Sequence, residues 1–361
     1  MATNKSDIEI KELTDKIIEI KNKLGKRVII PAHHYQRNEI VKLSDFIGDS
    51  YKLAKESSKT NSDYIVFCGV RFMAESAKIL AKSNQKVLIP NVMAGCPMAD
   101  MIDINNANKI WNIIEKQCER KIAPIVYMNS YADMKSFCGE KGGSVCTSSN
   151  AKKIIEYYLS KNVAIFFFPD YHLGKNIANT MNIPENQIAK VKKDATIETT
   201  GDPKNVKIFL YDGFCHVHQT FTESDILSLL RKKNSDYHII VHPECKEEIV
   251  KLADSYGSTE QIYNTIKNSE PGSMWAVGTE YNFIQRMADE FKDKVIIPLR
   301  VSPCMNMEKI NLENLYESLN SILEYENESG TLKYEVTVSD EYIEKSKTAL
   351  QKMIDIVEGN I

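Results

Sequence analysis

The sequence predicts an α/β protein: three similar units, each with a small parallel sheet. Three recurring features predict it. Short apolar runs, "VIIPAHHYQ" (28–36), "PIVYMNS" (124–130) and "HIIVHPE" (238–244), each end in polar groups, the pattern of a buried parallel strand that delivers side chains at its C-terminal end. A Gly-to-hydroxyl turn then opens a helix in "FIGDSYKLAKE" (46–56), "GSVCTSSNAKKIIEYYL" (143–159) and "SYGSTEQIYNTI" (255–266), where Ser, Thr and Asp are favoured caps. The closing strands "KVLIPNVMAGCPM", "VKIFLYDGFCHVH" and "KVIIPLRVSPCMN" each run into one cysteine: Cys96, Cys215 and Cys304. Any α/β protein alternates strands and helices; the ordered return of three unlike features is what marks a triplication.

Along the chain, Ile8, Ile10, Leu13, Ile17, Ile18 and Leu24 predict the apolar stripe of an N-terminal helix. The middle strands "DYIVFCGV", "VAIFFFPD" and "SMWAVGTE" complete three β-α-β-α-β-α-β units, each of roughly one hundred residues. The expected boundaries are 1–100 with 305–361 for the first unit and its terminal helices, 101–218 for the second and 219–304 for the third. The lysines between 184 and 208, with "PEN" and "GDPKN", read as an exposed connection. "LEYENESG" (323–330) reads as a solvated surface followed by a loop. A final helix over 340–357 carries Tyr342, Ile343, Leu350, Met353, Ile354 and Val357 on its apolar face, and is expected to pack on the first unit.

A formal charge of -3, from 46 basic and 49 acidic residues, offers no basic field for nucleic acid and no polybasic run for an anionic membrane. No stretch approaches the ~18 uninterrupted apolar residues of a membrane helix, and the N-terminus lacks the apolar core of a signal peptide. A cytoplasmic setting and small-molecule partners are therefore expected. In that reducing compartment the eight cysteines are thiols.

Ligand crevices of parallel α/β sheets lie at the C-terminal strand ends, where Cys96, Cys215 and Cys304 fall. Three thiolates are too few to close a structural zinc site. Around an open position they suit a catalytic metal or an iron-sulfur cluster. Cys68 reads as a small core residue, Cys118 as part of a polar helix and Cys138 as the start of a surface loop, "GEKGG". Cys146 and Cys245 lie near the expected site but close no strand.

"AHHYQ", "GDS", "GVRFMAES", "CPMA", "YMNS", "CTSSNA", "HPEC", "GSTEQ", "GTE" and "CMNM", in this order, strongly resemble the quinolinate synthase family over nearly the whole chain. The resemblance implies a transferase of NAD biosynthesis that condenses iminoaspartate with dihydroxyacetone phosphate, releasing phosphate and water and forming a pyridine dicarboxylate. It implies three αβα units about a pseudo-threefold axis and a [4Fe-4S] cluster whose open iron acts as Lewis acid. The cluster thiolates carry over to Cys96, Cys215 and Cys304. Two departures stand out: His216 where many relatives have proline, and His34 where Asn is common. The resemblance leaves, as alternatives, another cluster-dependent hydro-lyase or aldolase and a non-enzymatic iron-sulfur sensor. A sensor needs an output module such as a basic recognition helix, and none is visible.

By the same resemblance the site includes His33, Tyr35, Ser50, Tyr127, Asn129, Ser148, His218, His242, Glu244, Ser258 and Thr259. Ser50, Ser148, Ser258 and Thr259 sit where helix N-termini favour phosphate or carboxylate oxygens; ordinary capping is the plainer role for each. Ring formation needs acid/base groups that work near neutral pH. His33, Tyr35, His218 and Glu244 are the candidates, Glu244 with a pKa expected to rise through burial. Tyr127 and Asn129 are expected to orient the dicarboxylate. An enzyme that makes iminoaspartate is the candidate protein partner.

Overall fold

In a computed structural model, residues 7–230 and 236–361 are described. By packing, the chain divides into two compact units, Met1–Gly95 with Cys304–Val338 and Cys96–Pro303 with Ser339–Ile361. The first holds β1 (Val28–Ile29), β2 (Pro31–His33), β3 (Phe46–Gly48), β4 (Tyr64–Val66) and β5 (Lys86–Leu88). β1 and β2 are one strand interrupted at Ile30. β3 pairs with β2, β1 with β4 and β4 with β5, all parallel. In space the four segments therefore run second, first, third, fourth.

The second unit contains two sheets. One comprises β6 (Ile122–Tyr127), β7 (Ser144–Cys146), β8 (Ala164–Phe168), β9 (Ile188–Val191), β10 (Ile197–Glu198) and β11 (Ile208–Tyr211), in the order β10-β9-β11-β8-β6-β7. The other comprises β12 (Tyr237–Val241), β13 (Ser255–Tyr256), β14 (Met274–Gly278) and β15 (Val295–Pro298), in the order β13-β12-β14-β15. The four-stranded sheet repeats the second-first-third-fourth order of the first sheet, and the six-stranded sheet repeats second-first-third with its sixth strand, β11, in the fourth place and β9 and β10 beyond it. Every pairing is parallel except that of β10, and helices connect the strands as parallel crossovers require. The strands are buried on both faces, with Ile165, Phe166, Phe167, Phe168 and Phe209 fully inside, which is why they read as continuous apolar runs.

The repetition extends to single hydrogen bonds. Asp45 accepts from the Ile30 amide at 2.7 Å and its own amide donates back to the Ile30 carbonyl at 2.8 Å. Asp254 holds Ile239 in the same way, at 2.7 and 3.0 Å. In the second sheet the equivalent strand residue is Pro124, which has no N–H to offer, and the gripping residue is Gly143. A Cβ on Gly143 would lie 1.9 Å from the Pro124 carbonyl oxygen, so chain approach replaces the carboxylate.

Several expectations are corrected. Ile8 and Ile18 are exposed on the N-terminal helix Asp7–Leu24, whose buried edge is Ile17, Ile20 and Leu24. The segment 184–208 is no bare connection. β9 and β10 widen the second sheet, and Ile188, Ala189 and Val191 are buried there. Cys138 lies inside the helix Ala132–Glu140, fully buried, and donates to the carbonyls of Pro124 and Ser144. Cys118 ends its helix, buried.

The final helix, Asp340–Glu358, packs on the helix Ala132–Glu140 in the second unit, not on the first. Small residues decide this. Ser346 donates to the Ala132 carbonyl at 2.7 Å, and Gly139 lets the Lys345 carbonyl approach so closely that a Cβ would meet it at 1.9 Å. Leu350 and Met353 are thereby fully buried. Gly139→Ala is expected to push the two helices apart and cost about 1–3 kcal/mol in urea unfolding; unchanged stability would contradict this packing.

Candidate active site

The closing cysteines share one local geometry. The carbonyls of Cys96, Cys215 and Cys304 accept from the amides of Asp100, Gln219 and Glu308, four residues on, at 3.3, 3.1 and 3.1 Å. Three residues after each cysteine begins a 3₁₀ turn: Ala99–Met101, His218–Thr220 and Met307–Lys309. The thiols themselves fall into two classes. Cys96, Cys215 and Cys304 are partly exposed; Cys68, Cys118, Cys138, Cys146 and Cys245 are buried. Burial raises the pKa of each buried thiol, that of Cys138 to about 12 and those of Cys146 and Cys245 well above the usual range. The five buried groups are less open to an incoming metal than the three partly exposed thiols. Cys96 and Cys215 in the second unit and Cys304 in the first are the thiols left open to solvent.

In the second unit, Cys215 adjoins an acid–base group. Ligand atoms of Cys215, His218 and Glu244 lie within 4.8 Å of one another. Glu244 is 2% exposed, yet both its oxygens are engaged. Oε1 accepts from the Tyr127 hydroxyl, and Oε2 accepts from His218 Nδ1 at 2.9 Å. Nε2 of His218 meets Thr279 Oγ1 at 3.1 Å, completing a chain from Tyr127 through Glu244 and His218 to Thr279. The His242 ring stacks on His218, centroids 4.4 Å apart and planes 15° from parallel.

Burial alone would raise the Glu244 pKa, as expected from sequence. His218, His242 and the Tyr127 hydroxyl outweigh it, and the pKa falls to about 2. Glu244 therefore rests as a carboxylate, correcting the expected rise. His242 is moved the other way from a cation: burial, then the nearby His218, lower its pKa to about 3. Its Nδ1 accepts from the Glu244 amide at 3.3 Å, which leaves the neutral ring's proton on Nε2. His33 in the first unit has the same arrangement, its Nδ1 accepting from the Tyr35 amide at 3.2 Å, with the Tyr35 ring edge-on at 4.7 Å.

The hydroxyl turns differ among themselves. Ser50 opens the helix Ser50–Lys59, but Asp49 is its cap, accepting from the Lys52 amide at 2.9 Å. Ser258 caps the helix Thr259–Lys267 in a reciprocal box with Gln261. Thr259, the first helical residue, is also buried. Ser148 lines a cavity of about 260 Å³ in the second unit, with Lys152, Pro243, Tyr256 and Gly257. Asn129 is partly exposed at the end of β6.

Asp170 escaped sequence reasoning. It ends β8 in "FFPD", caps the helix Tyr171–Thr180 through the Leu173 amide at 2.7 Å, and is fully buried. Its other oxygen meets no donor among the described residues. Burial, then repulsion from Glu244, push its pKa well up, against the backbone amides of Leu173, His172 and Cys215. Thr279 and Lys135 were missed as well. The signal was a polar residue just past an apolar strand, in "FFPD" and "VGTE" alike.

The profile of the quinolinate synthetase A protein family matches residues 15–355. Quinolinate synthase of Bacillus velezensis is 40% identical over 357 residues, covering 98% of this chain and 96% of the relative. That of Bacillus subtilis is 40% identical over 361 residues, covering 99% and 96%, and that of Geobacillus kaustophilus 40% over 353, covering 97% and 95%. Among the described residues, no helix is long and apolar enough to cross a membrane.

The His242 shift has a definite sign. Below pH 6.5 the unfolded chain takes up a proton that the folded ring refuses, so its contribution to stability falls as pH drops towards 3. Asp170, with its raised pKa, acts in the opposite sense, so the comparison must be with a variant. The stability margin of the protein over His242→Asn is expected to shrink across that range, by up to about 1.4 kcal/mol per pH unit in urea melts. A margin independent of pH would contradict a neutral buried His242.

Proposed function

This chain belongs to the quinolinate synthetase A family, and from that premise we propose that it condenses iminoaspartate with dihydroxyacetone phosphate to quinolinate, releasing phosphate and water. The reading rests most on the division of thiols. Three partly exposed cysteines open identical turns while five are buried. Cys96, Cys215 and Cys304 would hold a [4Fe-4S] cluster, three soft donors being one short of a closed site. When bound, the cluster supplies an iron without protein thiolate that acts as a Lewis acid.

The chain's own residues handle protons and charge. Glu244, held ionised, orients His218 through Oε2 and takes part in proton transfer through that ring rather than as an acid. His218 can pass a proton along the line from Glu244 to Thr279 because each ring nitrogen already has a partner. Neutral His242 offers an Nε2–H donor to substrate oxygens, His33 presents its Nε2 edge in the same arrangement, and Tyr35 exchanges protons with the three-carbon substrate. Tyr127 and Asn129 orient the dicarboxylate. Ser50, Ser148, Ser258 and Thr259 hold phosphate and carboxylate oxygens at helix N-termini. An iminoaspartate-producing enzyme is the fitting partner. The three sheets are three domains of one design, bounded near residues 100, 218 and 304, with the final helix assigned to the second.

Incubated anaerobically with iron, sulfide and both substrates, the protein is expected to form quinolinate, detected chromatographically; none formed would overturn the reading. Cys96→Ala, Cys215→Ala and Cys304→Ala should each lose bound iron and sulfide, whereas Cys118→Ala should keep them. A Cys215→Ala protein with full iron and sulfide would remove that ligand. Glu244→Gln should keep the cluster and lose about 10²–10⁴ in turnover; near-normal turnover would exclude Glu244 from proton transfer.

A further inference from the structure

Lys135 is fully buried in the first turns of the helix Ala132–Glu140. Its side chain turns back to the end of β6, where Nζ donates to the Met128 carbonyl at 3.1 Å and to the Ser130 carbonyl. These carbonyls bracket Asn129. The same strand end is braced again by the Ser130 hydroxyl on the Tyr127 carbonyl at 3.0 Å and the Ser130 amide on the Met128 carbonyl at 2.7 Å. By contrast, no hydrogen bond holds the Asn129 amide among the described residues, and the side chain is partly exposed. Its direction therefore depends on the backbone that carries it rather than on a hydrogen bond of its own.

An ammonium taken out of water is costly unless its protons find acceptors. A methionine would fill nearly the same space with no such cost, so packing does not account for the charge. Clamping the carbonyls of Met128 and Ser130 does. The first fixes the peptide plane before Asn129 and the second the plane after Ser130, while the Ser130 amide on the Met128 carbonyl holds the plane between them; a three-proton donor can hold both carbonyls at once.

We propose that Lys135 is a positioning residue that aims the Asn129 amide at a carboxylate of the dicarboxylate substrate. This rests on the reading of Asn129 as a substrate-binding residue of a quinolinate-forming enzyme. Lys135 touches no substrate; it acts through the backbone of residues 128–130.

The test is a double-mutant cycle in cluster-loaded protein with Lys135→Met, Asn129→Ala and both together. KM for each substrate, kcat, iron content and Tm are read for every variant. Lys135→Met is expected to raise KM for iminoaspartate about tenfold, the worth of one well-aimed hydrogen bond. KM for dihydroxyacetone phosphate and the iron content should stay put. In the Asn129→Ala background the same change should cost nothing further, because the residue it positions is gone. Lys135→Arg, which keeps the cation, should recover part of the loss. An unchanged KM with a lowered Tm would overturn the proposal, as would multiplying effects in the double variant. Should Lys135→Met fail to fold, Lys135→Arg carries the same cycle, and a KM effect that survives removal of Asn129 overturns it. If the unaltered protein forms no quinolinate, the functional reading itself falls and this proposal with it; quinolinate formed with a flat Lys135 response sinks the proposal alone.

Discussion

A carboxylate that must stay ionised out of reach of water governs this site. Transfer of Glu244 to a dry interior disfavours its charge, and the protein answers with two donors on its two oxygens, Tyr127 and His218. The carboxylate and its donors come from three separate stretches: Glu244 from the end of β12, Tyr127 from β6 and His218 from the turn after Cys215. The charge thus holds only when sheets that are distant in sequence are correctly built.

The tripled design meets this demand economically. The arrangement of the first strands and one cysteine turn recur, an aspartate grip serves two copies and Gly143 the other, and each copy ends in a different set of side chains. His33 and His242 occupy the same position and are fixed by the same amide two residues on. Tyr127 stands at the corresponding place in the second sheet, where a hydroxyl donor is required by Glu244. Fold and site are separable here. The backbone repeats, and the chemistry comes from what the repeats do not share.

Much of this was legible in the sequence. Strand ends and closing cysteines announced themselves because a parallel strand is apolar until it reaches the crevice, and the change of polarity marks its end. Glu244 was found that way, but the direction of its pKa was not. Burial can be inferred from a neighbouring apolar run; hydrogen bonds from Tyr127 and His218, 117 and 26 residues away, cannot. Asp170 and Lys135 were hidden for a related reason. Asp170 caps a helix and Lys135 sits in a helical first turn, where polar and charged residues are ordinary, and only packing reveals that they are buried. The final helix was misplaced because its apolar face says that it packs, whereas the Gly139 gap that says where is a feature of its partner. β9 and β10 were masked by lysines at an edge.

The protonation state of Glu244 is the most direct test. An infrared difference spectrum of the protein against Glu244→Gln near neutral pH isolates the band of this one side chain. An ionised carboxylate band is the expected result. A protonated carbonyl band in its place would mean that burial outweighs Tyr127 and His218, and the account of this site would be wrong.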